Sequence, residues 1–190
     1  TAPHRNNDTT SYLTTPPPQP PSCTHTCMHV HTYMQERVYR QKGMTSMQLE
    51  ALSKISRMYE EHATYPSDIN EHLPTLRSYA RRVNSVAELG VRGGVSSWAF
   101  LFGLAEPAAE RLRSVPQAEK ATLISVDLQW CNTSAAARLG AALGVQHTFV
   151  QGDSTRVELP PRDLLFIDTW HVYAHLRREL AAHHATTGRY

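Results

Sequence analysis

The chain has 190 residues, a net charge of +2 with histidine neutral, and three cysteines. That length makes one domain the expectation. The near-balanced charge excludes nucleic acid as a partner held by bulk electrostatics, and no apolar run approaches the ~18 residues of a membrane span. Cys23, Cys27 and Cys131 form no disulfide framework, and the N-terminus lacks the apolar core of a secretory signal, so a cytoplasmic setting is expected. The Ser/Thr-rich, nearly acid-free start leaves an organelle open.

Residues 1–32 read as a disordered Pro/Thr/His-rich tail. The run Thr15-Pro16-Pro17-Pro18-Gln19-Pro20-Pro21 suits polyproline II and neither helix nor sheet. Cys23, His25, Cys27, His29 and His31 follow at every second position. Sulfur and imidazole suit zinc, but this period sets all five on one side of an extended chain, whereas a tetrahedral site gathers ligand pairs across a turn. No metal site is expected there. Residues 33–82 read as helices. The first runs from Tyr33 to about His62, with Met44, Met47, Leu49, Leu52, Ile55 and Met58 near helical spacing and Thr45 or Ser46 as cap. The second runs from Ile69 to Tyr79, with Leu73, Leu76 and Tyr79 on one face and Arg77, Arg81 and Arg82 making the other side basic.

From residue 83 onward the pattern changes. Val83–Leu89 reads as a strand, and Glu88-Leu89-Gly90-Val91-Arg92-Gly93-Gly94 as a glycine turn into a helix from Val95 to Leu104, with Pro107 beyond its end and a further helical turn from Ala108 to Val115. Glycines let backbone approach a ligand closely, and the first N–H groups of the helix are unpaired. The spacing is E-x-G-x-x-x-G; Arg92 stands where a dinucleotide binder has its second glycine. Thr122–Asp127 is a second strand ending in an acid, placed to accept hydrogen bonds from ribose hydroxyls beside the glycine loop. Thr133 or Asn132 caps a helix from Ser134 to Leu143, which Gly144 ends. His147–Gln151 is the third strand and leads into Gly152-Asp153-Ser154. Asp163–Asp168 is the fourth, followed by Thr169-Trp170-His171-Val172-Tyr173 and a helix from Val172 to Ala182 with Tyr173, Leu176 and Leu180 at helical spacing. Strand-loop-helix units with acids or glycines at strand ends predict an α/β fold with a parallel sheet flanked by helices.

Glu88, Gly90 and Gly94, then Asp127, then Asp153, then Asp168, in this order at successive strand ends, resemble the motifs of the class I S-adenosylmethionine-dependent methyltransferases. The resemblance covers residues 83–182. It implies a Rossmann-like core over residues 83–190, S-adenosylmethionine as cofactor, and Glu88, Gly90, Gly94, Asp127, Asp153 and Ser154 as cofactor-binding residues, Asp153 toward the adenine amino group. Phe166-Ile167-Asp168-Thr169-Trp170-His171 also resembles the catechol-type O-methyltransferases. There the matching acid ligates magnesium, so a divalent metal at Asp168 is admitted, and a lysine stands about where His171 stands here. The implied activity is methyl transfer to an oxygen or nitrogen of a small-molecule acceptor, with Asp168 orienting substrate or metal and His171 taking the proton.

The class I core has seven strands, and this chain stops where the fifth would begin. The C-terminal strands are therefore expected to be missing from a partial chain, with strands one and four bordering an open apolar edge. Two other functions stay open: a non-catalytic partial or degenerate cofactor-binding module, and an NAD-dependent oxidoreductase, against which Arg92 and the Gly152-Asp153-Ser154 motif stand.

Overall fold

The computed structural model describes residue 39 and residues 43–115 and 118–188. The proline run, the Cys23–His31 pattern, residues 33–38 of the first helical stretch and Pro116 lie outside the described residues.

Helix α1 spans Ser46–Thr64. Thr45 caps it: its side chain accepts the Gln48 N–H, and the Gln48 side chain accepts the Thr45 N–H in return. Leu49, Ala51, Leu52, Ile55 and Tyr59 form its buried face. Met47 does not belong to it and is exposed. A 3-10 turn, Asn70–His72, leads into helix α2, Leu73–Ala80. Leu73 and Ala80 are its buried residues, and Tyr79, expected on that face, is exposed. Arg77 departs from the expected basic side. Its guanidinium lies 3.8 Å from the centre of the Phe102 ring and its Nη2 3.2 Å from Glu106. A long side chain with an apolar stem and a paired head packs well there.

Strand β1, Ser85–Leu89, precedes helix α3, Val95–Ser114. The helix carries Pro107 inside it, whereas the sequence suggested a stop before that residue. An interior proline costs about 3 kcal/mol. Phe100, Leu101, Leu104, Ala105, Ala108 and Ala109 are all buried along α3, and a fully buried Leu or Phe contributes about 1.5–3 kcal/mol, so packing on both sides of the proline outweighs the defect. Gly103 is where α2 crosses: a Cβ there would sit 2.5 Å from the Arg77 carbonyl oxygen and 2.7 Å from the Ala80 Cβ.

Strand β2 is Ala121–Asp127, helix α4 is Ser134–Ala142, strand β3 is Val145–Gln151, strand β4 is Leu164–Ile167 and helix α5 is Tyr173–His183. Thr133 takes the cap position of α4 without a side-chain hydrogen bond; Asn132 Oδ1 accepts the Ser134 N–H instead. Between β3 and β4 the chain runs through a loop, so the expected strand-helix alternation fails at that step.

The fold is a Rossmann-like α/β sheet with all pairings parallel, in the order β3-β2-β1-β4. Val86 lies between Leu123 and Leu164, and Leu123 pairs with His147, so alternate residues of all four strands face one side. That side packs on α3, with α1 and α4 joining the same core. On β3, Val145 and His147 are buried, while Gln146 and Thr148 are exposed. β1 is paired on both sides, which corrects the expectation that it borders an open edge; the edges are β3 and β4. Outside β4, Thr187 forms a parallel bridge with Arg162. α5 also differs from its pattern. Tyr173, Leu176 and Leu180 are exposed, and the residues it buries are Glu179 and His183.

Candidate functional site

Chain order reverses at β1, which continues through α3 to β2 on one side and has β4 on the other. Ligands of open parallel sheets bind at the carboxyl ends of the strands at such a point. A cavity of about 430 Å³ lies there, lined from the glycine loop (Gly90 to Gly93), the ends of β2 and β4, and the Asp68-Ile69 segment ahead of α2. This volume falls within the range of small-molecule sites.

The loop is held by backbone geometry and one carboxylate. Gly90 has φ +90°, and a Cβ there would lie 2.0 Å from the Asp168 carbonyl oxygen. Arg92 takes φ +47°, the left-handed conformation. A non-glycine residue pays about 1–2 kcal/mol for that. Its N–H and that of Val91 donate to Asp127 Oδ2 at 2.8 and 2.7 Å, and hydrogen bonds to a charged group offset such a cost. Gln129 N–H donates to Asp127 Oδ1 at 2.8 Å. Partial burial pushes the Asp127 carboxyl up, but the N–H donors of Arg92, Gln129, Val91 and Leu128 outweigh it and hold it below its ordinary range. The Arg92 guanidinium pairs with both Asp68 oxygens, at 2.6 and 2.7 Å. Gly94 has φ +79° and stands at the N-cap of α3.

The cavity wall brings together Gly90, Asp127, Ser154, Asp168 and His171 of the residues picked from sequence. Three others, Gly94, Glu88 and Asp153, are not part of that wall. Glu88 is fully buried beneath the loop, with its carboxylate taken by the hydroxyls of Ser96, Ser97 and Ser125. Asp153 closes a turn on Thr155, whose N–H and hydroxyl it accepts at 2.9 and 2.7 Å. Those bonds lower its carboxyl below the ordinary range. Asp168 Oδ1 lies 3.0 Å from His171 Nε2. The His171 side chain is 82% exposed and Asp168 34%, which places the pair at the rim.

Sequence reasoning missed a second polar cluster. Glu179 Oε1 accepts from Ser154 Oγ at 2.6 Å and Thr169 Oγ1 at 2.8 Å, and lies 3.2 Å from His175 Nε2. All three partners line the cavity, so one buried carboxylate ties three parts of its wall together. The spacing of His175 and Glu179, four apart on a helix, was the available signal. Asp68 was likewise unmarked.

Among the described residues no group of three or more His, Cys, Asp or Glu is placed to hold a metal ion. Asp168 is joined by His171 alone, so the donor set does not make a magnesium centre. No helix among the described residues is long and apolar enough to cross a membrane.

No protein-family model matches the chain, and no curated protein matches it in sequence. Among solved structures, the SAH-bound methyltransferase PaMTH1 of Podospora anserina shares 14% identity at a TM-score of 0.41. The match covers 82% of this chain and 66% of that one.

Proposed function

We propose that the chain binds S-adenosylmethionine in this cavity and transfers a methyl group to an oxygen or nitrogen of a small molecule. The observation that supports this reading best is the use of the loop's N–H groups. In a dinucleotide binder they face a pyrophosphate. Here those of Val91 and Arg92 are spent on Asp127. Asp68, Asp127 and Asp168 also line the cavity, and its cation Arg92 is paired with Asp68. Such a lining repels a diphosphate and suits a sulfonium. Asp127 Oδ1, which accepts the Gln129 N–H, has capacity for a ribose hydroxyl as well. Leu128 and Trp170 supply apolar wall for a flat base.

When bound, the cofactor supplies a methyl group already activated as a sulfonium. The chain then has to hold an acceptor in line and remove one proton. Asp168 is a carboxylate acceptor, so a neutral His171 donates to it through Nε2 and keeps Nδ1 as the proton-accepting nitrogen. Asp168 fixes the ring, and His171 takes the acceptor's proton.

Calorimetric titration with S-adenosylhomocysteine and, separately, with NAD tests the reading, with circular dichroism reporting the fold. The expected result is saturable binding of S-adenosylhomocysteine alone, lost in Asp127→Ala. Binding of NAD alone would favour the oxidoreductase. Binding of neither by a folded sample would favour a non-catalytic module and remove the roles given to Asp168 and His171.

A further inference from the structure

Two buried carboxyls collect hydrogens from side-chain donors in this chain. Glu88 takes those of Ser96, Ser97 and Ser125, and Ser125 Oγ also lies 2.9 Å from His147 Nε2. Of these residues only Ser96 reaches the cavity. Glu179 differs, because Ser154, Thr169 and His175 all line the cavity and all turn to its Oε1. The Ser154 and Thr169 hydroxyls donate at 2.6 and 2.8 Å, and His175 Nε2 lies 3.2 Å away. Glu179 Oε2 is buried and has no partner among the described residues. Oε1 therefore accepts in either state of the carboxyl, since an acid proton on Oε2 leaves Oε1 as the carbonyl oxygen. An acceptor there sets the neutral imidazole as the Nε2–H tautomer and leaves Nδ1 unprotonated. With their hydrogens drawn to one atom, the three wall residues offer lone pairs to whatever fills the cavity. Such a wall pairs with a ligand N–H and rejects a carbonyl oxygen.

His175 is the member beside the wall for a flat base. Trp170, which with Leu128 makes that wall, meets the imidazole edge-on, with ring centres 5.9 Å apart and planes at 61°. The ring is held between Trp170 and Glu179, and its side chain keeps 18% exposure. Asp153, which the sequence resemblance points toward the adenine amino group, spends an oxygen on Thr155 and is not part of the wall. Resting on the methyltransferase reading, we propose that His175 takes over that contact: its Nδ1 accepts the exocyclic amino group of the cofactor's adenine, and the cavity thereby selects adenine over hypoxanthine. Hypoxanthine would set a carbonyl oxygen against the imidazole lone pair. Two acceptors would then face each other out of water with no hydrogen between them.

Calorimetry at about pH 8, where an ordinary imidazole is neutral, tests this with S-adenosylhomocysteine and its hypoxanthine analogue, S-inosylhomocysteine. The chains compared are wild type, His175→Phe and Asp153→Asn. Phenylalanine keeps a flat ring against Trp170 and removes both nitrogens. Wild type is expected to favour the amino ligand by about ten- to a hundredfold. His175→Phe is expected to bring the two ligands within about threefold of each other, mainly by weakening the amino ligand, whereas Asp153→Asn keeps the wild-type ratio. A merely structural His175 would weaken both ligands alike, and that unchanged ratio overturns the proposal. So does a wild-type ratio below about threefold, or a ratio lost in Asp153→Asn and kept in His175→Phe, which returns the contact to Asp153. Should His175→Phe not fold, nitrogen NMR of the wild-type imidazole replaces it. S-adenosylhomocysteine is expected to shift the His175 Nδ1 signal, and an unmoved signal overturns the proposal. Binding of neither ligand by a folded sample removes the methyltransferase reading, and this contact with it.

Discussion

At the scale of single residues, the site depends on two positions whose neighbours leave no choice. Gly90 is one. Its φ is +90°, and a Cβ would meet the Asp168 carbonyl oxygen at 2.0 Å. That atom is backbone at the end of β4 and cannot swing away. Gly90→Ala is therefore expected to destabilise the fold by about 2–4 kcal/mol, combining left-handed strain with displacement of a packed strand end. Urea denaturation measures it; a loss under about 0.5 kcal/mol, within the usual range of surface substitutions, would mean that the close approach is not maintained in solution. Asp127 is the other. Its place at the end of an apolar strand was legible because a run of β-type residues stopping at an acid is a local pattern. Its use as a clasp on the loop was not, because that depends on which N–H groups a left-handed Arg92 turns toward it. Glu179 went unread for a related reason: an acid within a helix normally signals a solvated face, and only the packing of α5 buries it.

At the scale of elements, burial decided where local preference failed. The strands stood out because each is a short apolar run bounded by turn residues, and the alternation on β3 shows one covered face. Pro107 misled because the rule that proline ends a helix holds only when nothing larger opposes it. The ring removes the N–H that would bond to the Gly103 carbonyl, at the turn where α2 crosses α3. Pro107→Ala restores that donor. It is expected to stabilise the chain by about 1–3 kcal/mol, the lower figure allowing for proline's stiffening of the unfolded state. Thermal unfolding checks this; a lower melting temperature would show that the proline ring is itself needed to seat Gly103 against α2. α5 failed in the opposite direction. Its apolar residues were read as a core stripe, yet the helix buries Glu179 and His183, which bond to the wall of the cavity.

At the scale of the whole molecule, the cavity belongs to the topology. The reversal at β1 lets two strand ends diverge above it, and the charges collected there bear on the stability of the entire chain. His147 is the informative group, because burial holds it down to about 4 from an ordinary value of 6.5. In the unfolded chain the ring takes up a proton below pH 6.5, whereas in the fold it resists until about pH 4. The unfolded state thus binds more protons across that window, and stability falls as pH falls through it, by about 1.4 kcal/mol per pH unit. Asp127, held below its ordinary range, acts in the same sense lower down: its contribution is present above the unfolded carboxylate value and is lost as pH drops through the folded one. Glu88, pushed up by burial, runs the other way and loses stability as pH rises through its folded value. The sum of these terms does not isolate any one of them, but a difference between two chains does. His147→Gln keeps a donor for Ser125 and removes the titration. Between pH 7.5 and pH 4.5 it is expected to lose about 2–3 kcal/mol less stability than wild type in urea denaturation. That is a large share of the roughly 5–15 kcal/mol a domain possesses. Equal losses in the two chains would show that the ring takes its proton freely in the fold, and with it that His147 brings to the Glu88 network a positive charge in mildly acid solution.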